Sequence, residues 1–161
     1  MTNSMEKDTT IHKIADAMRT KGNLFPTALC DIPGIPFKSF DKLSTSVQEG
    51  SVLLQRFSTN FDNYTFELFA SHSEKNLNTF YIALAFLLPV FSIILSFTHS
   101  WWWLAGIPTL FWPLGKSKKI YNRVILSSAL SSELYFCYLY VARQICLTTP
   151  DFKNSLYWNK S

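Results

Sequence analysis

The stretch TFYIALAFLLPVFSIILSFTHSWWWLAGIPTLFWPLG, residues 79–115, contains no Asp, Glu, Lys or Arg. A bilayer core of roughly 30 Å takes about 20 apolar residues per helix, and this stretch holds nearly twice that number. A polar break, Thr98-His99-Ser100, lies at its centre. The sequence therefore predicts two membrane-crossing helices that fold back on each other.

The two predicted crossings differ in length and regularity. The first covers residues 79–97 and carries Pro89 near its middle, which predicts a kink because proline removes a backbone donor. The second covers residues 101–115 and contains Pro108 and Pro113, so we expect it to be short and bent. The second segment fits either a full crossing or a re-entrant segment.

Aromatic and cationic residues flank the second crossing. Three consecutive tryptophans stand where it begins, and tryptophan favours the level of the lipid headgroups. Lysines follow directly after its end, whereas the loop between the crossings has neither Lys nor Arg. Because cytoplasmic flanks carry the excess of Lys and Arg, we expect both termini in the cytoplasm, at an inner or plasma membrane. The predicted interface anchors are Trp101, Trp102, Trp103, Lys116, Lys118 and Lys119.

The N-terminal region combines a helical pattern with an irregular one. Residues 9–19 predict a short amphipathic helix, capped by Thr9 or Thr10 and packed on the rest of the protein or on a partner. Residues 23–37 hold three prolines among apolar residues and predict an irregular connector that covers another surface. The predicted partner-docking residues of this connector are Phe25, Leu29, Ile32, Ile35 and Phe37.

Two further segments before the membrane are predicted to be helical. An apolar stripe over residues 39–57 is interrupted at Gly50, which predicts a broken amphipathic helix. Residues 61–70 fit both a strand and a helix by their periodicity. A helix that leads into the membrane is favoured there, because a single strand has no visible partner.

The segment after the second crossing, residues 120–147, predicts one long amphipathic helix on the membrane surface or against the N-terminal helices. Residues 124–147 are also long enough for a third crossing, which is less favoured because insertion would immerse Glu133 at a cost of about 2.5–3.5 kcal/mol. The predicted fold class is an all-α integral membrane protein, a two-helix transmembrane hairpin with flanking cytoplasmic amphipathic helices. The predicted division is residues 1–75, 76–116 and 117–161.

The residues that carry chemistry form no catalytic or metal-binding pattern. His12, His72 and His99 lie in separate segments, without a second ligand at metal-binding spacing. The three cysteines are an odd number without a CxxC pair, and the glycines form no phosphate-binding motif. A formal net charge of +4 with dispersed cations is unlike a nucleic-acid-binding face. We expect no enzyme, no cofactor, no metal, no nucleic-acid partner and no small-molecule substrate.

These features predict a small, non-enzymatic accessory or assembly subunit of a larger membrane complex, for example a secretion, conjugation or respiratory-type assembly. The expected partners are the lipid bilayer and other membrane protein subunits. The same features also fit a membrane-active protein that forms an oligomeric pore, for which Ser92, Ser96 and Thr109 are the polar lining candidates. A toxin, an immunity factor and a hairpin that shapes membranes are compatible with them as well.

Overall fold

The computed structural model describes residues 2–20, 26, 28–32, 35–57, 62–98, 111–148 and 155–156. This part of the chain is mostly helical, with six α-helices and one three-stranded sheet. The helical content agrees with the predicted all-α class, whereas the sheet is an addition to it. The chain divides into two compact units: unit 1 is Met1–Asp62 with Ile125–Ser161, and unit 2 is Asn63–Val124, inserted between them in the sequence.

Unit 1 therefore takes its elements from both ends of the chain. In chain order the elements are α1 (Thr2–Thr20), a 3-10 turn (Leu29–Asp31), α2 (Phe40–Gln48), β1 (Leu53–Arg56), α3 (Asn63–Phe69), α4 (His72–Thr98), α5 (Phe111–Ala129), α6 (Glu133–Val141), β2 (Ile145–Thr148) and β3 (Ser155–Leu156). Unit 2 holds α3, α4 and most of α5, and the last residues of α5 belong to unit 1.

Helix α1 contacts α6 and buries a narrow apolar face. Ile11 and Ala15, one turn apart, are both buried. The predicted N-terminal helix is confirmed, but it begins at Thr2, earlier than a threonine cap would allow. The Thr9 hydroxyl donates to the Met5 carbonyl within the helix at 2.8 Å, so Thr9 lies inside the helix instead of capping it.

Strand β2 is the central strand of the sheet and pairs antiparallel with β1 and with β3. On the β1 side, Leu53 pairs with Thr148 and Arg56 with Ile145. All four residues of β2 are buried, as expected for an apolar strand with a neighbour on each side. The β1–β2 ladder therefore joins the two parts of unit 1 that flank unit 2 in the sequence.

The predicted broken helix over residues 39–57 is correct in its first half and wrong in its second. Helix α2 ends at Gln48, and Gly50 follows with a φ of 74°, a left-handed conformation that glycine adopts readily. Beyond this break the chain forms β1 instead of more helix. Its partner β2 lies far away in the sequence, so no local pattern could show the pairing.

The predicted helix over residues 120–147 is wrong as a single element. Helix α5 ends at Ala129, a turn at Leu130 and Ser131 follows, and α6 and β2 complete the segment. Arg143 has a φ of 54° and terminates the helical run after α6. With nine residues, α6 is roughly 13 Å long, less than half of a bilayer core, so this segment is not a third crossing.

Helix α6 lies in the core of unit 1 because it is apolar all round. Phe136 stacks on Tyr140 with ring centres 5.7 Å apart and meets Phe40 of α2 at 6.3 Å. At the start of α6, the Glu133 carboxylate accepts a hydrogen bond from the Leu29 backbone N–H at 2.6 Å. This bond fastens the proline-rich connector to the central helix of the unit.

Helix α4 of unit 2 begins with a capping box. The Ser71 N–H donates to the Glu74 carboxylate at 3.0 Å, and the Glu74 N–H donates to the Ser71 hydroxyl at 3.4 Å. The helix therefore starts at His72, seven residues before the predicted start of the first crossing. Residues 72–78, which are polar except for Leu77, form its first two turns.

Helix α3 confirms the helix favoured for residues 61–70. Its buried residues are Thr65, Phe66 and Phe69. Phe66 stacks on Tyr121 of α5 with ring centres 5.4 Å apart and planes 14° apart. This contact packs α3 against α5 within unit 2.

Replacing Glu133 by Ala is expected to destabilise unit 1. The substitution removes a charged acceptor from the partly buried Leu29 N–H, and such bonds contribute roughly 1.5–3 kcal/mol. The measurement is the unfolding midpoint in detergent, followed by circular dichroism. Glu49→Ala is the matched control, since Glu49 is exposed at the end of α2. An unchanged midpoint for Glu133→Ala would contradict the structural role of this bond.

Candidate membrane interface

Within the described part of the chain, α4 is the one helix that is long and apolar enough to cross a membrane. From Tyr81 to Thr98 it has no charged side chain. That distance is roughly 26 Å along the helix axis, close to the thickness of a bilayer core. The predicted first crossing, residues 79–97, lies inside α4. The second, residues 101–115, lies outside the described residues except for 111–115, which are helical and begin α5.

The apolar part of α4 is exposed around most of its circumference. Phe97 is 87% exposed and Phe86 is 72% exposed. A continuous apolar surface of this kind marks a protein interface or a membrane contact. The exposed large apolar residues of α4 are Leu77, Phe80, Ile82, Phe86, Leu87, Val90, Phe91, Ile93, Ile94 and Phe97.

One narrow stripe of α4 is covered. Its buried residues are Asn78, Ala85 and Ser92, each seven positions after the last. Seven residues are close to two helical turns, so these small side chains lie in a line along one side. Of the other predicted pore-lining residues, Ser96 donates to the Ile93 carbonyl of its own helix at 2.7 Å, and Thr109 lies outside the described residues.

Helices α4 and α5 lie antiparallel in unit 2. The contacts between them include Glu74 with Arg123 at 3.7 Å, Asn78 with Ser117 at 2.6 Å, and Tyr81 with Trp112 at 6.2 Å between ring centres. The residue number rises along α4 as it falls along α5, which gives the antiparallel direction. The central contact is a buried hydrogen bond from the Ser117 hydroxyl to the Asn78 amide oxygen, and it fixes the register of the pair.

The apolar surface of α4 borders a group that we name the aromatic–lysine junction, consisting of Tyr81, Trp112, Lys116, Lys118 and Lys119. The edge of one ring meets the face of the other in the Tyr81–Trp112 pair, with planes 85° apart. The Lys116 ammonium lies 5.9 Å from the centre of the Trp112 ring, a cation–π contact. Trp112 is 59% exposed, and the three lysines are exposed. The junction thus presents rings and cations together, as interfacial belts of membrane proteins do.

The structure brings part of the predicted anchor set together. Lys116, Lys118 and Lys119 are exposed within two turns of α5, beyond Trp112. Trp101, Trp102 and Trp103 lie outside the described residues. Two interface residues were missed by sequence reasoning, Tyr81 and Trp112, because neither stands out from the apolar run around it.

The predicted docking residues fall into different environments. Leu29 and Ile32 are buried, Ile35 and Phe37 are partly exposed, and Phe25 lies outside the described residues. The docking role stays a prediction, with Ile35 and Phe37 as its accessible members. A shallow groove of about 360 Å³ opens beside them, lined by Phe37, Asp41, Lys42, Thr45 and Ser46.

The two buried thiols of unit 1, Cys137 and Cys146, have raised pKa values. Burial, followed by the nearby Glu133 carboxylate, raises the pKa of the Cys137 thiol to about 12. Burial also raises the pKa of Cys146 and raises that of the Tyr140 hydroxyl to about 12. Cys30 is exposed, with its thiol 3.8 Å from the Asp31 carboxylate. Among the described residues, no group of three or more His, Cys, Asp or Glu side chains is arranged to hold a metal ion.

Comparisons of this chain with models of protein families, with curated proteins and with solved structures found no match.

Replacing Ser117 by Ala is expected to lower the stability of unit 2 by about 1–3 kcal/mol, because the buried Asn78 amide loses its hydrogen-bond partner. In the double variant Asn78→Leu/Ser117→Ala, apolar groups replace both partners, and most of the loss is expected to be recovered. Thermal unfolding in detergent measures both changes. A double variant that is less stable than the single one would contradict the pairing.

Native-state labelling with a maleimide at about pH 8 is expected to modify Cys30 fast and Cys137 and Cys146 slowly. A raised pKa keeps a thiol protonated at this pH, and the Cys137 thiol ionises only as the pH approaches about 12. Mass spectrometry counts the labels with time. Cys30→Ser should remove the fast phase of labelling. Denaturant should expose Cys137 and Cys146, so that both are then labelled fast. Fast labelling of more than one site in the native protein would contradict the burial of these thiols.

Proposed function

We propose that this protein is a membrane-anchored, non-enzymatic accessory subunit of a larger membrane complex. One observation carries the proposal: the apolar surface of α4 from Tyr81 to Thr98 is exposed around most of the helix and ends at the aromatic–lysine junction. Water does not stabilise an exposed apolar surface of that size, whereas a bilayer core has the matching thickness.

A hairpin arrangement in the membrane is part of this proposal, and the sheet of unit 1 supports it. β1 precedes α4 and β2 follows α5, and two paired strands lie on the same side of a bilayer. A chain that crosses through α4 therefore has to return before β2. Trp112 at the start of α5 is paired with Tyr81 at the start of the uncharged part of α4, so the two helices reach the same level of the bilayer there.

The proposed orientation has both termini in the cytoplasm, at an inner or plasma membrane. The three lysines of the junction follow the apolar stretch directly, and residues 98–110 contain no Lys or Arg. Positively charged flanks favour the cytoplasmic side. With both termini in the cytoplasm, unit 1, which contains them, is the cytoplasmic part of the protein in this proposal.

The non-enzymatic part of the proposal rests on the state of the groups that could react. The buried thiols have raised pKa values and stay protonated near neutral pH. Activated cysteines in enzymes have lowered pKa values, because a cation or a helix N-terminus stabilises the thiolate. The environment of Cys137 has the opposite effect, since Glu133 adds negative charge beside it.

The accessory role adds a contact with another subunit, for which the partly exposed Ile35 and Phe37 and the groove beside them are the proposed position. The groove combines an aromatic ring, a kind of side chain that is enriched at protein interfaces, with one carboxylate, one ammonium and two hydroxyls, which suit the polar rim of an interface. The Leu29–Glu133 bond holds the loop to α6 at Leu29, six residues before Ile35.

Replacing Val90 by Asp is expected to prevent stable membrane insertion. Val90 lies midway between Tyr81 and Thr98, is 51% exposed, and a carboxylate there costs about 2.5–3.5 kcal/mol, roughly a hundredfold in the insertion equilibrium. The measurement is the fraction retained in the membrane pellet after alkaline carbonate extraction. Asn76→Asp is the matched control, because Asn76 is exposed in the polar first turns of α4. Wild-type protein that stays soluble and monodisperse without detergent would overturn the anchor.

Purification in mild detergent tests membership of a complex. We expect a membrane protein to co-purify at a fixed ratio, Phe37→Asp to reduce its yield at least tenfold, and Met5→Asp to leave it unchanged, since Met5 is 78% exposed on α1. Self-association with dye leakage from liposomes would instead support an oligomeric pore. If a Ser100→Cys thiol can be labelled only from the cytoplasmic side, the membrane-shaping hairpin is favoured.

A further inference from the structure

We propose that one face of α5, formed by Trp112, Lys116 and Lys119, binds the phosphate-bearing headgroup of an anionic phospholipid. The proposal rests on the membrane location put forward above and adds a ligand to it. The ligand chemistry is a phosphate anion joined to an apolar body.

The three residues lie in one line on the exposed side of α5. The spacing from Trp112 to Lys116 is four residues and from Lys116 to Lys119 three, and Arg123 follows after four more. Such spacing puts side chains one above the other on one helix face. The neighbouring face of α5 holds Ser117, which is buried against Asn78 of α4. The line is therefore held along the edge of the α4–α5 pair.

The charges of unit 2 are not balanced at this face. Unit 2 has five cationic side chains and two carboxylates, Glu67 and Glu74. Glu67 pairs with Lys75 at 2.8 Å and Glu74 with Arg123 at 3.7 Å. The remaining cations, Lys116, Lys118 and Lys119, have no carboxylate partner among the described residues. An anion from outside the unit would complete the charge balance.

The depth of the lysines matches the phosphate layer of a bilayer. Tryptophan rings favour the headgroup level, and the headgroup region adds roughly 5–8 Å to each side of the apolar core. Lys116 lies roughly 6 Å and Lys119 roughly 10 Å from Trp112 along the helix axis. With Trp112 at the inner edge of that region, Lys116 lies within it. Lys119 starts beyond its outer edge, and its long side chain reaches back because side chains tilt towards the N-terminus of a helix.

The rings next to Lys116 favour a lipid over inorganic phosphate. Phe80 contacts Tyr81 with ring centres 5.7 Å apart, Tyr81 contacts Trp112 at 6.2 Å, and the Lys116 ammonium lies 5.9 Å from Trp112. Phe80 is 58% exposed and Trp112 59%. This continuous line leads from an apolar surface to a cation. A phospholipid likewise has an apolar part, its acyl chains, next to a charged phosphate, whereas a free phosphate ion has no apolar part.

Binding of phosphatidylglycerol to the full chain in non-ionic detergent tests the proposal, with phosphatidylcholine as the neutral comparison and native mass spectrometry as the readout. The double variant Lys116→Gln/Lys119→Gln is expected to lose about 25-fold in affinity for phosphatidylglycerol, about fivefold for each lysine, with no change for phosphatidylcholine. Lys116→Arg/Lys119→Arg should retain the affinity. High salt should weaken the binding of the wild type.

Lys13→Gln is the matched control, because Lys13 has the same charge and is exposed on α1 in unit 1, outside the proposed face. It is expected to change the affinity less than twofold. An equal loss for Lys13→Gln, equal binding of both lipids, or displacement of the lipid by inorganic phosphate at millimolar concentration would each overturn the proposal. Carbonate extraction separates the two proposals. If the double glutamine variant stays in the membrane pellet as the wild type does, the membrane anchor does not depend on the lipid-binding face. If the wild type itself is extracted, the proposed anchor is wrong.

Discussion

A single buried hydrogen bond, from the Ser117 hydroxyl to the Asn78 amide oxygen, determines how the two long helices of unit 2 meet. Each group is buried, so neither is satisfied if the helices shift by one residue. The bond therefore sets the pairing of Trp112 with Tyr81 one turn away and the height of Lys116 above the apolar surface of α4. Both proposals, for the anchor and for the lipid-binding face, depend on this register.

Features of local composition were predictable from the sequence. The uncharged run after Thr79 predicts α4 as a long apolar helix. A run of 18 or more apolar residues is a local signal for such a helix and needs no information about other segments. The exposed lysines after Gly115 follow from charge alone. Gly50 was identified as a break for the same reason, since the conformation that ends α2 is a property of glycine itself.

Features that need distant partners were not predictable, and two nearer signals were overlooked. β1 and β2 recognise each other across the whole of unit 2, and the pairing of Asn78 with Ser117 joins two helices, so neither leaves a periodic trace in its own segment. The nearer signals are Ser71-His72-Ser73-Glu74, a capping box that starts α4, and Ser132-Glu133, which starts α6 after the turn. At Ser71 the polar composition of the segment concealed the start of α4, whereas at Ser132 the apolar stripe over residues 120–147 ran across the start of α6.

The insertion of unit 2 between the two parts of unit 1 has a consequence for biogenesis. Strand β1 leaves the ribosome long before its partner β2, by roughly 5–20 s at 5–20 residues per second. During that delay the hydrogen-bonding edge of β1 is open to other chains. If α4 crosses the bilayer as proposed, the edge closes only when the apolar segment has been translated and the chain has returned to the same compartment. In that arrangement, completion of the sheet depends on membrane insertion, and a chain that fails to insert keeps an unpaired strand that chaperones and proteases can recognise.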